Sequence, residues 1–187
     1  MTNYDVTAIV KKAGLGLIDI NSFKYNIVEI EVANFKSFKA FIPVYVIVNE
    51  GDFIKSKSWA ITRFDFSDPN PTVLAIRFDE VEITESYEPI QFLLAKVSGM
   101  WIPSSKPGLR TVGPTKKAFI MSTLKLRDEF SESYTVLFTA FNDCAKQLST
   151  VKRLSTIRAE VCIKPKKYID GYEFCANTFE IIKEGGK

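Results

Sequence analysis

Along most of the chain, apolar and polar residues alternate in short runs that end near Gly, Pro, Asn or Asp. Alternation puts successive side chains on opposite faces of an extended backbone, so each run predicts a strand with one buried face. Strands are expected over 4–12, 25–33, 40–49, 58–66 and 72–83, and again over 90–98, 118–127, 134–141, 156–168 and 172–182. One stretch departs from this period, "NDCAKQLSTVKRLS" at 142–155. Cys144, Leu148 and Val151 recur there at helical spacing, Lys146, Lys152 and Arg153 fall on the solvent side, and Asn142 or Asp143 can cap the first turn. The pattern predicts a short helix between the third and fourth strands of the second set.

The two sets of strands match each other. "KYNIVEIEVANFKSFKAFIPVYVIVN" (24–49) lies beside "KAFIMSTLKLRDEFSESYTVLFTAFN" (117–142) without a gap, and "SWAITRFDFSDPNPTVLAIRFDEVEI" (58–83) beside "TIRAEVCIKPKKYIDGYEFCANTFEI" (156–181). The second match is offset by five residues more than the first, a step assigned to a shorter helical segment in the first half. Five strands with a helix between the third and fourth is the order of the OB-fold, a small Greek-key barrel. The expected fold is all-β with one short helix: tandem OB-fold-like five-stranded barrels. Residues 1–86 form a diverged barrel and residues 87–187 a nucleic-acid-binding one. Another β-barrel or a sandwich of similar strand count is the alternative.

Composition narrows the function. Histidine is absent, which excludes His-based triads and most catalytic zinc sites. The three cysteines, Cys144, Cys162 and Cys175, include no C-x-x-C pair, and Cys162 and Cys175 fall in apolar strand patterns that predict burial. No phosphate-binding Gly-rich loop or dinucleotide motif is present. Carboxylate pairs such as Asp79-Glu80 and Asp128-Glu129 read as turn or edge charges. A non-enzyme without metal or cofactor is expected. No apolar run has the length of a membrane span, and "MTNYDVTAIVKK" lacks the features of a signal peptide. The expected location is the cytoplasm, or the host cytoplasm for a phage- or plasmid-borne chain, with no membrane partner.

Charge and aromatic content point to an anionic partner for one half. Residues 1–86 carry 9 Lys+Arg against 12 Asp+Glu, whereas residues 87–187 carry 16 against 10. The chain also holds 15 Phe and 7 Tyr, more rings than a small core requires. Single-strand binding without sequence choice needs those two ingredients, rings for stacking and cations along the backbone. The candidate rings are Trp101, Phe119, Phe141, Tyr168 and Tyr172, with Met121 beside them. The candidate cations are Lys106, Arg110, Lys116, Lys117, Lys125, Arg127, Lys164, Lys166 and Lys167. Alternation along 118–127 puts Phe119, Met121, Thr123, Lys125 and Arg127 on one face and the apolar Ile120, Leu124 and Leu126 on the other. The hairpin "KPKKYIDGYEF" (164–174) brings its lysines and tyrosines to an Asp170-Gly171 turn. Each feature also has a plainer reading: a core Phe, a Trp that pins a loop, a lysine-rich edge that discourages strand pairing.

Over about 90–183 the sequence resembles the OB domain of bacterial and phage single-stranded DNA-binding proteins. The resemblance rests on "TAFNDCAKQL", similar to that family's third strand entering its helix, and on "IKPKKYIDGYEF…FEII", similar to its last hairpin. It implies sequence-independent single-stranded DNA binding in replication or recombination. RNA is an alternative ligand, and replication or recombination proteins and a second copy of the chain are implied as partners. By position it implies stacking at Phe141 and Tyr168, while Thr135 stands where members often carry an aromatic. The family's acidic tail has no counterpart in "FEIIKEGGK", so recruitment through such a tail is not expected. The alternative function is an interaction or structural module of a replisome or virion without nucleic-acid contact. The first half, whose matching hairpin is acidic and proline-bound at Pro69 and Pro71, reads as a companion barrel.

Overall fold

The computed structural model describes residues 4–103, 109–114, 117–166 and 171–186, and in it the alternating runs form two sheets. The first holds β1 (Val6–Ile20), β2 (Phe23–Val32), β3 (Phe35–Pro43), β4 (Phe53–Ser56), β5 (Trp59–Arg63), β6 (Leu74–Phe78) and β7 (Glu82–Thr84). The second holds β8 (Leu93–Ile102), β9 (Arg110–Val112), β10 (Lys117–Arg127), β11 (Ser133–Phe141), β12 (Thr156–Pro165) and β13 (Tyr172–Lys183), with the helix α1 (Asn142–Leu148) between β11 and β12. Alternation misses the short strands β4, β7 and β9, which have too few residues to show a period. The expected third strand over 40–49 lies instead at Phe35–Pro43. The helix is shorter than expected, and neither Asn142 nor Asp143 caps it: the N-cap is Phe141, without a side-chain hydrogen bond.

The second sheet is a closed barrel. Its order β11-β13-β12-β8-β10 is completed by pairing of β10 with β11, and β11 runs parallel to β13. Closure brings β8 hard against β10 at Gly99, where a Cβ would lie 2.8 Å from the Lys125 carbonyl oxygen. The first sheet runs β5-β6-β3-β2-β1-β4-β7, and only Lys57 and Ser58 separate β4 at one side from β5 at the other. The chain that leaves β4, next to the β7 edge, therefore enters the opposite edge, and the sheet curls on itself.

The repeat survives at the level of backbone pairing. The parallel register of β3 with β6 is Lys39↔Ala75, Ala40↔Ile76 and Phe41↔Arg77; that of β11 with β13 is Leu137↔Glu173, Phe138↔Phe174 and Thr139↔Cys175. Each residue of the second set stands 98 positions after its counterpart. The gapless match of 24–49 with 117–142 is corrected by this register, because it breaks at the turn between the second and third strands. That turn spans only Ala33 and Asn34 in the first half but Asp128 to Glu132 in the second.

The longer turn holds the two halves together. Arg63, at the end of β5, directs Nε and Nη2 at Asp128 Oδ2, with Nε at 3.1 Å. Its Nη1 donates to the Asp68 carbonyl at 2.8 Å and its Nη2 also to Glu132 at 3.2 Å. Asp128 Oδ1 accepts the backbone N–H of Phe130 and of Glu132. The two charged side chains are 2% and 0% exposed. Beside them Glu129 accepts from Thr62 Oγ1 at 2.6 Å and Arg77 Nη1 at 2.9 Å. Asp128 and Glu129 are thus interface ligands and not free turn charges. Around this seam one contiguous apolar cluster includes residues of both halves, from Val6 and Phe38 to Leu124 and Phe174.

A buried ion that loses its partner cannot recover its hydration, so removing one member of such a pair costs far more than the pair itself contributes. Asp128→Asn should lower the unfolding free energy by about 3–5 kcal/mol in urea denaturation. Replacing both members with apolar residues, Arg63→Met with Asp128→Leu, should return most of that loss. Unchanged stability in Asp128→Asn would show that the pair does not hold the seam.

Candidate nucleic-acid interface

Barrel registers assemble one row of side chains on the outer face of the second sheet. Arg110 on β9 is in register with Phe119 on β10, and Phe119 with Phe141 on β11. The two rings touch, with centroids 5.0 Å apart and planes inclined by 39°. Both are half-buried, so each keeps an exposed portion while the other holds it in place. Two residues along each strand, on the same face, come Met121 (49% exposed) and Thr139, in register with each other and continued by Cys175 and Cys162. The next row is Thr123, Leu137, Glu173 and Lys164. The inward set of β10 is buried as the alternation predicts: Ile120, Ser122, Leu124 and Leu126.

Electrostatics mark the same face. The candidate cations Arg110, Lys117, Lys125, Arg127, Lys164 and Lys166 make no ion pair among the described residues. In the first half Lys11, Lys12, Lys39, Lys55, Arg63 and Arg77 are all engaged by carboxylates. A cation already neutralised by a carboxylate offers little to a phosphate. Lys24, Lys36 and Lys57 of the first half also make no ion pair among the described residues, but such cations are more numerous on the second barrel. There they fall in separate groups. Arg110 and Lys117 flank the ring pair; Lys125 and Arg127 line a cavity of about 340 Å³ with Met100 and Ser133; Lys164 and Lys166 lie at the last hairpin.

Two candidate rings are turned into the packing, Trp101 completely and Tyr172 in part. Trp101 is fully buried in the barrel, edge-on to Phe138 at 5.8 Å. It continues the inward series Leu93, Ala95, Val97 and Gly99 of β8, and its backbone N–H and carbonyl bond to Ser155 and Leu154. Tyr172 packs on the first half, its ring 5.7 Å from Phe35 and 5.1 Å from Phe38, and burial pushes its phenol pKa up. Both rings are packing groups. Lys106, Lys116, Lys167 and Tyr168 lie outside the described residues. The cysteines are packing groups too: Cys162 and Cys175 are buried, and burial pushes the Cys144 thiol up to about 11.

The first half covers part of its own outer face. Tyr25 and Pro43, in register at the end of the β2–β3 ladder, stand where Phe119 and Phe141 stand in the second barrel. There Phe64 and Phe66 of the β5–β6 hairpin stack on Phe41 at 6.0 and 6.3 Å, and Phe130 of the second half meets Phe66 edge-on at 4.9 Å. Ile20, Tyr25, Phe41 and Ala75 are buried beneath them as a second small core. The same hairpin reaches the second barrel. Thr135 N–H donates to the Pro69 carbonyl at 2.9 Å, and Thr135 Oγ1 meets the Asn70 side chain. The missing aromatic at Thr135 is explained by this contact, since the position belongs to the seam between halves. A ligand on the second barrel is left with the strip that begins at Arg110, Phe119 and Phe141.

Comparison with known proteins agrees with this architecture. The chain is similar in fold to the wild-type single-stranded DNA binding protein from Thermus aquaticus, with a TM-score of 0.64 and 9% identity over 100% of this chain and 95% of that chain. A deletion mutant of the same protein gives a TM-score of 0.61 and 9% identity over 100% of this chain and 97% of that chain. At such identity the likeness is one of fold. No protein-family model matches the sequence, and no curated protein matches it.

The burial of Trp101 has a measurable consequence. Trp101→Ala should cost about 3–5 kcal/mol of stability, as for other buried Trp truncations. Trp101→Phe keeps an aromatic edge against Phe138 and should leave oligonucleotide affinity at the wild-type value. A fall in affinity without a fall in melting temperature would put the ring on the ligand.

Proposed function

We propose that this protein binds single-stranded DNA without strong sequence choice, on the outer face of its second barrel, in replication or recombination. The row Arg110, Phe119 and Phe141 carries the reading: a guanidinium with no carboxylate partner among the described residues, beside two rings that hold each other half-exposed. Bases stack on the rings and on Met121, while Arg110, Lys117, Lys164 and Lys166 follow the phosphates. Lys106, Lys116, Lys167 and Tyr168, outside the described residues, are further ligand contacts in this proposal. Residues 87–187 carry the activity. Residues 1–86 act as a companion barrel whose own face is covered in part by Phe64 and Phe66. RNA is a second ligand of the same chemistry, since no group of the row distinguishes a 2′-hydroxyl.

The alternative, a protein-docking role for the first half, has its own support. Phe23, Tyr45 and Ile47 are 68%, 73% and 77% exposed, and Phe23 and Tyr45 border an apolar cavity of about 510 Å³ floored by Tyr25 and Pro43. That surface is remote from the row in sequence and belongs to the other barrel, so the two roles are compatible.

Fluorescence anisotropy with oligo-dT and with a duplex of equal length tests the proposal. Oligo-dT should bind more tightly, because only unpaired bases present their faces to rings. Phe119→Ala or Phe141→Ala should each weaken oligo-dT binding by about 1–3 kcal/mol and leave the salt dependence unchanged. Arg110→Ala with Lys117→Ala should flatten the slope of log affinity on log salt by roughly 0.7 per lost phosphate contact. Equal affinity for duplex and single strand would overturn stacking as the mechanism.

A further inference from the structure

We propose that Glu173 reads a base and gives this surface a preference for guanine over thymine, an inference that rests on the single-strand reading above. Glu173 lies on β13 on the outer face, in register with Leu137 of β11 and Lys164 of β12. Thr139 Oγ1 donates to Glu173 Oε1 at 2.5 Å. Thr139 is 1% exposed, so the hydroxyl that holds the carboxylate is itself fixed by packing. Thr139 stands two residues before Phe141 on the same face of β11, a separation of about 7 Å along a strand. Glu173 itself stands two rows from the ring pair, and the Thr139 bond draws its Oε1 to the row between, toward a base stacked on the rings.

Glu173 stands apart in its setting. Lys164 stands directly across the ladder, yet the two form no ion pair among the described residues, and Glu173 is turned to Thr139 instead. A carboxylate on a phosphate-binding strip opposes the backbone of the ligand. It is an acceptor-only group, so its favourable contact with a nucleotide is to N–H donors on a base edge. Guanine presents N1–H and the N2 amino group side by side and can meet both lone-pair directions of a carboxylate at once. Thymine presents N3–H between two carbonyls, which the carboxylate repels. Cytosine and adenine each set an amino donor beside a ring-nitrogen acceptor and offer one good bond. The Thr139 bond occupies only one of about four acceptor positions, so a two-pronged contact remains available.

The test uses the full chain and labelled oligo-dT of about fifteen nucleotides, within the length one such barrel covers. One central thymidine is replaced by guanosine or by inosine, which lacks the N2 amino group. The guanosine oligonucleotide should bind roughly tenfold more tightly than all-thymidine, as a bidentate base contact would give, and inosine should lose most of that gain. Glu173→Gln should abolish the discrimination while affinity for all-thymidine holds or rises. Thr139→Val, which frees the carboxylate but retains it, should weaken the discrimination without weakening all-thymidine binding. Equal binding of the three oligonucleotides by the wild-type protein would overturn the role of Glu173 and leave the stacking surface intact. Failure to bind any of them would overturn the single-strand reading itself. The wild-type comparison needs no variant, so misfolding of Glu173→Gln would not blunt it.

Discussion

The arrangement of the two barrels depends on a guanidinium and a carboxylate from opposite halves that meet out of contact with water. Arg63 and Asp128 are each almost completely buried. Stripping water from two ions costs several kcal/mol per ion, and their attraction offsets this only when every remaining donor and acceptor is used. Here they are. Arg63 also serves the Asp68 carbonyl and Glu132, and Asp128 also takes two backbone N–H groups of its own turn. Arg63 lies 5.6 Å over the Tyr134 ring and 5.9 Å from that of Phe66, so its faces are occupied as well as its edges. A shift of one barrel against the other would leave a buried charge unpaired. The pair therefore acts less as a source of stability than as a selector of one docking pose.

That pose decides which outer face is open. Asp128 sits in the turn that is longer in the second half than in the first, and the same turn supplies Glu129 to Arg77 and Phe130 to Phe66. In return the β5–β6 hairpin of the first half covers its own Phe41 and reaches across to Thr135. Two barrels of the same strand order thus end with different exteriors. One is covered over Phe41 by its own phenylalanines. The other keeps Phe119 and Phe141 facing outward beside cations that no carboxylate among the described residues neutralises. The charge imbalance between the halves is the electrostatic side of the same division.

Much of this was legible in the alternation of the sequence, because a period of two assigns a face to every residue of a strand. It separated Ile120 and Leu124 from Phe119 and Met121, and it would have placed Trp101 inside had the series Leu93, Ala95, Val97, Gly99 been followed past residue 98. The same parity puts Tyr172 with the buried Phe174 and Ala176. What could not be read was anything fixed by a partner far along the chain. Asp128 looks like a turn residue until Arg63, 65 positions away, is brought to it. Thr135 looks like a missing ring until Pro69 and Asn70 cover it. The strands β4, β7 and β9 were too short to show a period, and β9 is the one that brings Arg110 beside Phe119.

A ring that waits in solvent must give up its rotamer freedom when a base settles on it, and part of the stacking energy is spent on that ordering. Phe119 and Phe141 have already lost most of that freedom, since each leans on the other in a cross-strand pair of the kind that stabilises a sheet without any ligand. The exposed portions of the two rings form a preformed hydrophobic edge, with Arg110 held in the same row by backbone pairing. In the proposed binding, the barrel would contribute by rigidity more than by number of contacts. The same reasoning separates this pair from Phe41, Phe64 and Phe66. Those rings stack just as closely, but on one another and over a buried core, so what would be a platform in one barrel is structural packing in the other.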